Sequence, residues 1–217
     1  MEDIRDILFE NIASKRFRAV LTAERSGVLS GVDEADASAK KLGIDLELCK
    51  GEGAEISHGE RFGNFLGTPK QIAMAEECLI GTLAKASGIA TAARTAVQLA
   101  DGRMQIVSGS WKKMPPEIKQ LVRKATAAGG AAFRICQPPM VYLDKNFIRM
   151  FGSIPAATEA CKKLPGSTIA VQVRGMTASV EVETRQALAG GAGILMVDTG
   201  ELEDVRRCVS TLKSTGR

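Results

Sequence analysis

Residues 108–146 read SGSWKKMPPEIKQLVRKATAAGGAAFRICQPPMVYLDKN, and the fold turns on this stretch. An apolar run ends in a small polar turn, after which Lys112-Lys113 and Pro115-Pro116 open a helix that closes at Gly129-Gly130. A second apolar run then carries Arg134 and ends at Asp144-Lys145-Asn146. Strand, basic turn, helix, glycine pair and strand make an α/β unit whose charges collect where strands end. Ligands bind beyond the ends of parallel strands in open sheets and barrels alike. Lys112, Lys113, Arg134 and Lys145 are therefore expected to converge on an anion.

The same rhythm continues outward. Apolar runs at 104–107, 132–136, 140–143, 168–173 and 193–197 are predicted strands, alternating with helices over about 116–127, 154–163, 178–189 and 202–213. Such alternation implies parallel strands with crossover connections. On the N-terminal side, Ile4, Ile7, Leu8 and Ile12 have helical spacing. Strands are predicted at 17–23, 27–31, 45–49 and 61–67, with an Ala-rich helix at 33–42 ending on Gly43. Thr68-Pro69 starts a helix running to about Lys85, and Ser87 is expected to cap a second one ending near Ala100. The fold class is α/β. An N-terminal α+β domain with a helical layer occupies 1–102, and an open α/β barrel of parallel strands occupies 103–217.

At 217 residues the chain is long enough for one sizeable core or two unequal domains. A net charge of +4, without basic tails or runs, argues against nucleic-acid binding. The cysteines (Cys49, Cys78, Cys136, Cys161, Cys208) are odd in number and form no CxxC pair, so free thiols in a reducing cytoplasm are expected. They also lack metal-ligand spacing. No apolar run approaches the roughly 18 residues of a membrane span. A soluble, cytoplasmic protein without membrane or nucleic-acid partners is the expectation.

Several stretches, taken in order, resemble the quinolinate phosphoribosyltransferase family. They are Ala23-Glu24-Arg25-Ser26-Gly27-Val28-Leu29-Ser30-Gly31, the Gly59-Glu60 turn, Ser87-Gly88-Ile89-Ala90-Thr91, and Gly129-Gly130 with Phe133-Arg134. Val141-Tyr142-Leu143-Asp144-Lys145-Asn146 and Ile194-Leu195-Met196-Val197-Asp198 continue the set. The resemblance implies an α/β N-terminal domain, a helical layer, an open α/β barrel, and a homodimer or higher oligomer. It also implies transfer of ribose 5-phosphate from phosphoribosyl pyrophosphate to a pyridine nitrogen, with Mg²⁺ and a small anionic acid as substrate. Cations hold carboxylates and diphosphate in such chemistry, and acidic residues serve the ribose side.

The chain departs from the family at several positions. The family's Thr-Arg-Lys-Thr turn falls on Trp111-Lys112-Lys113-Met114 or one residue earlier, its His-Arg on Phe133-Arg134, and its Lys-Asp-Asn-His on Asp144-Lys145-Asn146-Phe147. Gln172 stands at an acidic position, Asp198 keeps the strand-end aspartate, and Glu77 replaces an arginine. The family's barrel also continues through two further strand–helix units, so a shortened barrel is expected here.

By this resemblance Lys113 and Asp198 are the catalytic candidates, with Asp198 also a metal ligand. Lys112, Arg134, Lys145, Asn146 and Gln172 are the substrate-binding candidates. Plainer readings stand beside these: a solvated helix start for Lys112 and Lys113, a surface charge at a strand end for Lys145, an internal carboxylate partner for Arg134, a helix cap for Asp198. Trp111 either stacks on a heterocycle or packs against the barrel rim. Two functions follow. One is an enzyme acting on a heteroaromatic, pyridine-type acid. The other is an inactive relative serving as a metabolite-binding or assembly subunit.

Overall fold

A computed structural model describes residues 3–216. The chain divides into two compact units, Met1–Ile135 and Cys136–Arg217. Both mix helices with strands, and the fold is α/β.

In the first unit, Asp3 caps a short helix α1 (Ile4–Leu8), its carboxylate accepting the Arg5 amide at 3.0 Å. Strands β1 (Phe17–Thr22), β3 (Asp45–Leu48) and β5 (Arg61–Gly67) form an antiparallel sheet in the order β1-β5-β3. The strands β2 (Gly27–Val28) and β4 (Glu55–Ile56) make a separate antiparallel pair. Helix α2 (Val32–Lys41) begins at Gly31, which has no side chain to cap it. Glu52 supplies the missing acceptor, taking the amides of Gly31 at 2.9 Å and Val32 at 3.1 Å and the Ser30 hydroxyl. Leu21, Leu29, Ala35, Ile44, Phe62, Phe65 and Leu79 bury one core between sheet and helices. Each buried Leu, Ile or Phe among them contributes about 1.5–3 kcal/mol of burial.

A long helical rod follows. Helix α3 (Pro69–Ala75) carries the predicted start: Thr68 and Gln71 form a reciprocal capping box with proline at the first turn. A π-helical turn at Glu76–Ile80 leads directly into α4 (Gly81–Ala100). The break expected at Ser87 does not occur. Ser87 sits inside α4, and its hydroxyl accepts the Ser30 amide at 3.0 Å. A glycine such as Gly88 costs a helix only about 1 kcal/mol, and packing of Ala86 and Ala90 against Val28 and Ala125 offsets it.

Helix α5 (Pro116–Ala128) packs on α4 so closely that a side chain on Gly129 would collide with the Ala90 carbonyl and the Ala93 methyl. The strands expected at 104–107 and 132–136 are not formed. These segments meet at one parallel bridge, Val107 to Ala132, where Ser108 donates to the Ala132 carbonyl at 2.8 Å and Ala132 to that of Ile106 at 2.9 Å. Beyond Ala132 the chain bends, exposing Arg134, and it reaches Pro138-Pro139, which has no N–H to offer a ladder.

The second unit holds a parallel sheet, β6 (Met140–Leu143), β7 (Thr168–Val173) and β8 (Ile194–Val197), with β7 in the centre. Helices α6 (Lys145–Phe151), α7 (Ile154–Ala160), α8 (Val180–Ala189) and α9 (Leu202–Ser214) accompany it. Residues 170–173 of β7 are buried, the pattern of a central strand covered on both faces. Leu143, Ile154, Val171 and Ala187 anchor the core. Lys145 and Asn146 do not end a strand as expected. They open α6, because the Asp144 carboxylate accepts the amides of Asn146 at 2.8 Å and Phe147 at 3.1 Å and so caps a helix.

Candidate functional site

The carboxyl ends of β6, β7 and β8 bring three predicted residues together. Gln172 lies in β7 opposite Met196 of β8, only 7% exposed. A buried amide needs partners at both ends, and Gln172 has them. Its Oε1 accepts the Lys145 backbone amide at 2.6 Å, and its Nε2 donates to Asp198 Oδ2 at 2.5 Å. Arg174 donates to the same Asp198 oxygen at 3.2 Å. Asp198 is therefore not the cap of α9, whose preceding turn is closed by the Thr199 hydroxyl accepting the Glu201 amide at 3.2 Å. The Asp198 side chain is about half exposed. Asn146 is exposed, and its amide goes to Asp144.

Beside this chain of hydrogen bonds is a cleft lined by Lys145, Arg149, Gln172, Arg174, Thr177 and Glu183, among others. Glu183 escaped the sequence reading. It projects from α8, is 2% exposed, and holds the turn after β7. Its Oε2 accepts the amides of Arg174 at 2.9 Å and Gly175 at 2.8 Å. Its Oε1 accepts the amides of Met176 at 2.8 Å and Thr177 at 2.7 Å, and the Thr177 hydroxyl at 2.9 Å. Gly175 at φ +67° lets successive N–H groups point inward as an anion nest. Burial pushes the Glu183 carboxyl up, but the donors around it prevail and hold it below its ordinary value. Arg149 was also missed, because its alignment with Lys145 shows only once α6 is recognised. The retrievable signal for Glu183 was the glycine turn Arg174-Gly175-Met176-Thr177 just before a helix with an acidic first turn.

Tyr142 on β6 donates to the Met196 sulfur at 2.9 Å. Burial first, then the nearby Asp198 and Asp144 charges, raise its pKa.

Lys112, Lys113 and Arg134 belong to the first unit. Both lysines are exposed on a 3₁₀ turn, Ser110–Lys113. Trp111 in that turn is held by packing: its Nε1 donates to the Phe133 carbonyl at 2.8 Å, and the Arg123 guanidinium covers one ring face, 3.9 Å from the ring centre. Arg134 was expected to need a partner because of burial. It is exposed, its guanidinium 5.7 Å from the Phe133 ring centre. Glu77, the charge reversal, pairs with Arg5 at 2.6 Å.

Among the described residues, no cluster of three or more His, Cys, Asp or Glu side chains is placed to hold a metal ion. None of their helices is long and apolar enough to cross a membrane.

Residues 6–87 match the N-terminal domain of quinolinate phosphoribosyl transferase, and residues 89–217 match its C-terminal domain. The chain belongs to the quinolinate phosphoribosyl transferase family. Among similar family members, a probable nicotinate-nucleotide pyrophosphorylase [carboxylating] of Methanothermobacter thermautotrophicus is 27% identical over 97% of this chain and 78% of its own length. The nicotinate-nucleotide pyrophosphorylase [carboxylating] of Rattus norvegicus is 28% identical over 91% of this chain, which spans 66% of the rat protein. The solved structure of NadC from Streptococcus pyogenes has a TM-score of 0.78 at 21% identity, covering 98% of this chain and 75% of that one. The nicotinate-nucleotide pyrophosphorylase from Francisella tularensis gives 0.77 at 22% identity, covering 97% and 78%. These structural likenesses speak for the family's fold.

Proposed function

We propose that this chain is a phosphoribosyltransferase of pyridine nucleotide biosynthesis, moving ribose 5-phosphate from phosphoribosyl pyrophosphate to the ring nitrogen of a heteroaromatic, pyridine-type acid. The observation that carries the reading is the Lys145–Gln172–Asp198 chain at the carboxyl ends of the parallel strands. Its residues are fixed by strand register and helix capping, so the site is preorganised, as electrostatic catalysis requires.

In this reading Asp198 orients the ribose hydroxyls. Its Oδ2 is taken by Gln172 and Arg174, which leaves Oδ1 for the reactants in this reading. One carboxylate suits Mg²⁺, which binds through one or two protein oxygens with the rest from substrate phosphates and water. Bound with the diphosphate, Mg²⁺ would neutralise charge on the leaving group. Lys145 and Gln172 line the anion side, with Asn146 beside them on α6. On the first unit, Lys113 as a catalytic cation, with Lys112 and Arg134, are proposed as further contacts to anionic groups. A homodimer or higher oligomer is proposed as well, readable by size-exclusion chromatography with light scattering.

The test is pyrophosphate release from phosphoribosyl pyrophosphate and Mg²⁺ with a panel of pyridine and other heteroaromatic acids, quinolinate included. Release with one acceptor, reduced on the order of 10²-fold in Asp198→Asn, is the expected result. Folded protein that neither binds phosphoribosyl pyrophosphate nor releases pyrophosphate with any acceptor would overturn it.

A further inference from the structure

We propose that Lys145, Arg149 and Arg174 form an oxyanion subsite in the second unit that takes a phosphate-type dianion, with Arg149 a contact residue. Three cationic side chains line one cleft. Lys145 and Arg149 are four residues apart on α6, hence on one face, where like charges repel. No ion pair or side-chain hydrogen bond is found for either within the described residues. Arg174 reaches the cleft from the turn after β7 and is the one cation of the three with an acidic partner, Asp198.

The remaining carboxylate of the cleft offers no compensation. Both oxygens of Glu183 are occupied by backbone amides and the Thr177 hydroxyl. Glu183 therefore acts as a positioning residue, fixing the turn that carries Arg174 and Thr177. The cleft keeps an excess of positive charge, with Lys145 and Arg149 exposed to solvent and Arg174 tied to Asp198. Forked guanidinium donors suit oxyanions. Side-chain donors from Lys145 and Arg149 on α6 and from Arg174 on the turn after β7 converge on the one cleft, as binding of a tetrahedral oxyanion requires. The subsite deepens the proposed function and rests on it only for the identity of the natural ligand. A phosphate group of phosphoribosyl pyrophosphate and free phosphate share this chemistry.

The test separates the two readings because it needs no turnover. Inorganic phosphate is titrated calorimetrically into the full chain in metal-free buffer containing EDTA, with phthalate as a dicarboxylate comparison. Arg149→Ala should weaken phosphate binding at least tenfold and Arg149→Lys less so. Arg185→Ala, an exposed arginine on α8 outside the cleft lining, should leave it unchanged. Competition by phosphoribosyl pyrophosphate against bound phosphate identifies the nucleotide precursor as the source, and its absence leaves free phosphate. Phosphate binding that is undetectable, indifferent to Arg149→Ala, or weaker than phthalate binding would overturn the subsite. Loss of pyrophosphate release with Arg149-dependent phosphate binding retained would overturn only the proposed function.

Discussion

Gln172 and Asp198 face each other across the β7–β8 pair, the amide nitrogen of one 2.5 Å from the carboxylate oxygen of the other. The opposite end of the same amide takes the first backbone N–H of α6. One side chain thus couples the ends of two strands to the start of a helix. Replacing Gln172 by Glu removes the donor and sets two carboxylates together, while replacement by Leu leaves the Lys145 amide without its acceptor. Both variants are expected to lose about 1–3 kcal/mol. Q172E should lose less at pH 5 than at pH 8, since protonation relieves like-charge repulsion. Thermal unfolding at the two pH values reads this directly.

Glu183→Gln replaces a carboxylate accepting five hydrogen bonds with an amide that must turn its NH₂ toward backbone donors. A loss of about 1–3 kcal/mol is expected. Because the folded carboxyl is held below its ordinary value, its contribution to stability is complete above the unfolded value, about 4.3, and fades as pH falls toward the folded one. Wild type should therefore lose stability on acidification through that window, and E183Q should show a flatter acid limb. Denaturant midpoints between pH 3 and 7 test the sign. An unchanged acid limb in E183Q would show that other groups govern it.

Gly129→Ala forces a methyl group into the Ala90 carbonyl and Ala93. The backbone offers no room to yield, and a loss of at least about 2 kcal/mol is expected. Gly88→Ala, inside α4 with nothing within 4 Å of the added methyl, should instead raise stability by roughly 0.5–1 kcal/mol. The two variants, compared by urea unfolding, make an internally controlled pair.

Cys49 and Cys78 are exposed, Cys136 is half-buried, and Cys161 and Cys208 are buried, all free. Burial also pushes the Cys161 thiol up, away from the reactive thiolate. Titration with a chromogenic disulfide should label Cys49 and Cys78 within the first phase and reach Cys161 and Cys208 only after unfolding. Fast native labelling of either buried thiol would contradict their packing.

Much of the fold was legible where local pattern and tertiary packing agree. The apolar run at 168–173 is the buried central strand, and Thr68-Pro69 starts a helix with the expected cap. It was less legible where one residue type serves two ends. Ser87-Gly88 looks like a helix boundary, but the serine is turned sideways to Ser30, a partner 57 residues away. Asp144 looks like the end of a strand and is equally a helix cap, which hid α6 and with it Arg149. At the site, Gln172 and Asp198 could be read from their place on strand ends. Glu183 was harder: only the glycine turn before an acidic helix start hints at it, and its role depends on the backbone shape of that turn.

The π turn at Glu76–Ile80 has one more consequence. An α-helix rotates by about 100° per residue, and a π turn accommodates an extra residue within a rod that otherwise continues unbroken. Ala75 ahead of this turn, Leu79 within it and Leu83 just after it serve the sheet core, while Ala86 and Ala90 meet α5. Closing 76–80 into ordinary α-helical turns with no residue lost would swing everything downstream by about that angle, carrying Ala86 and Ala90 off Ala125. The turn thus works as a phase adjuster, deciding which neighbours the later half of the rod can address.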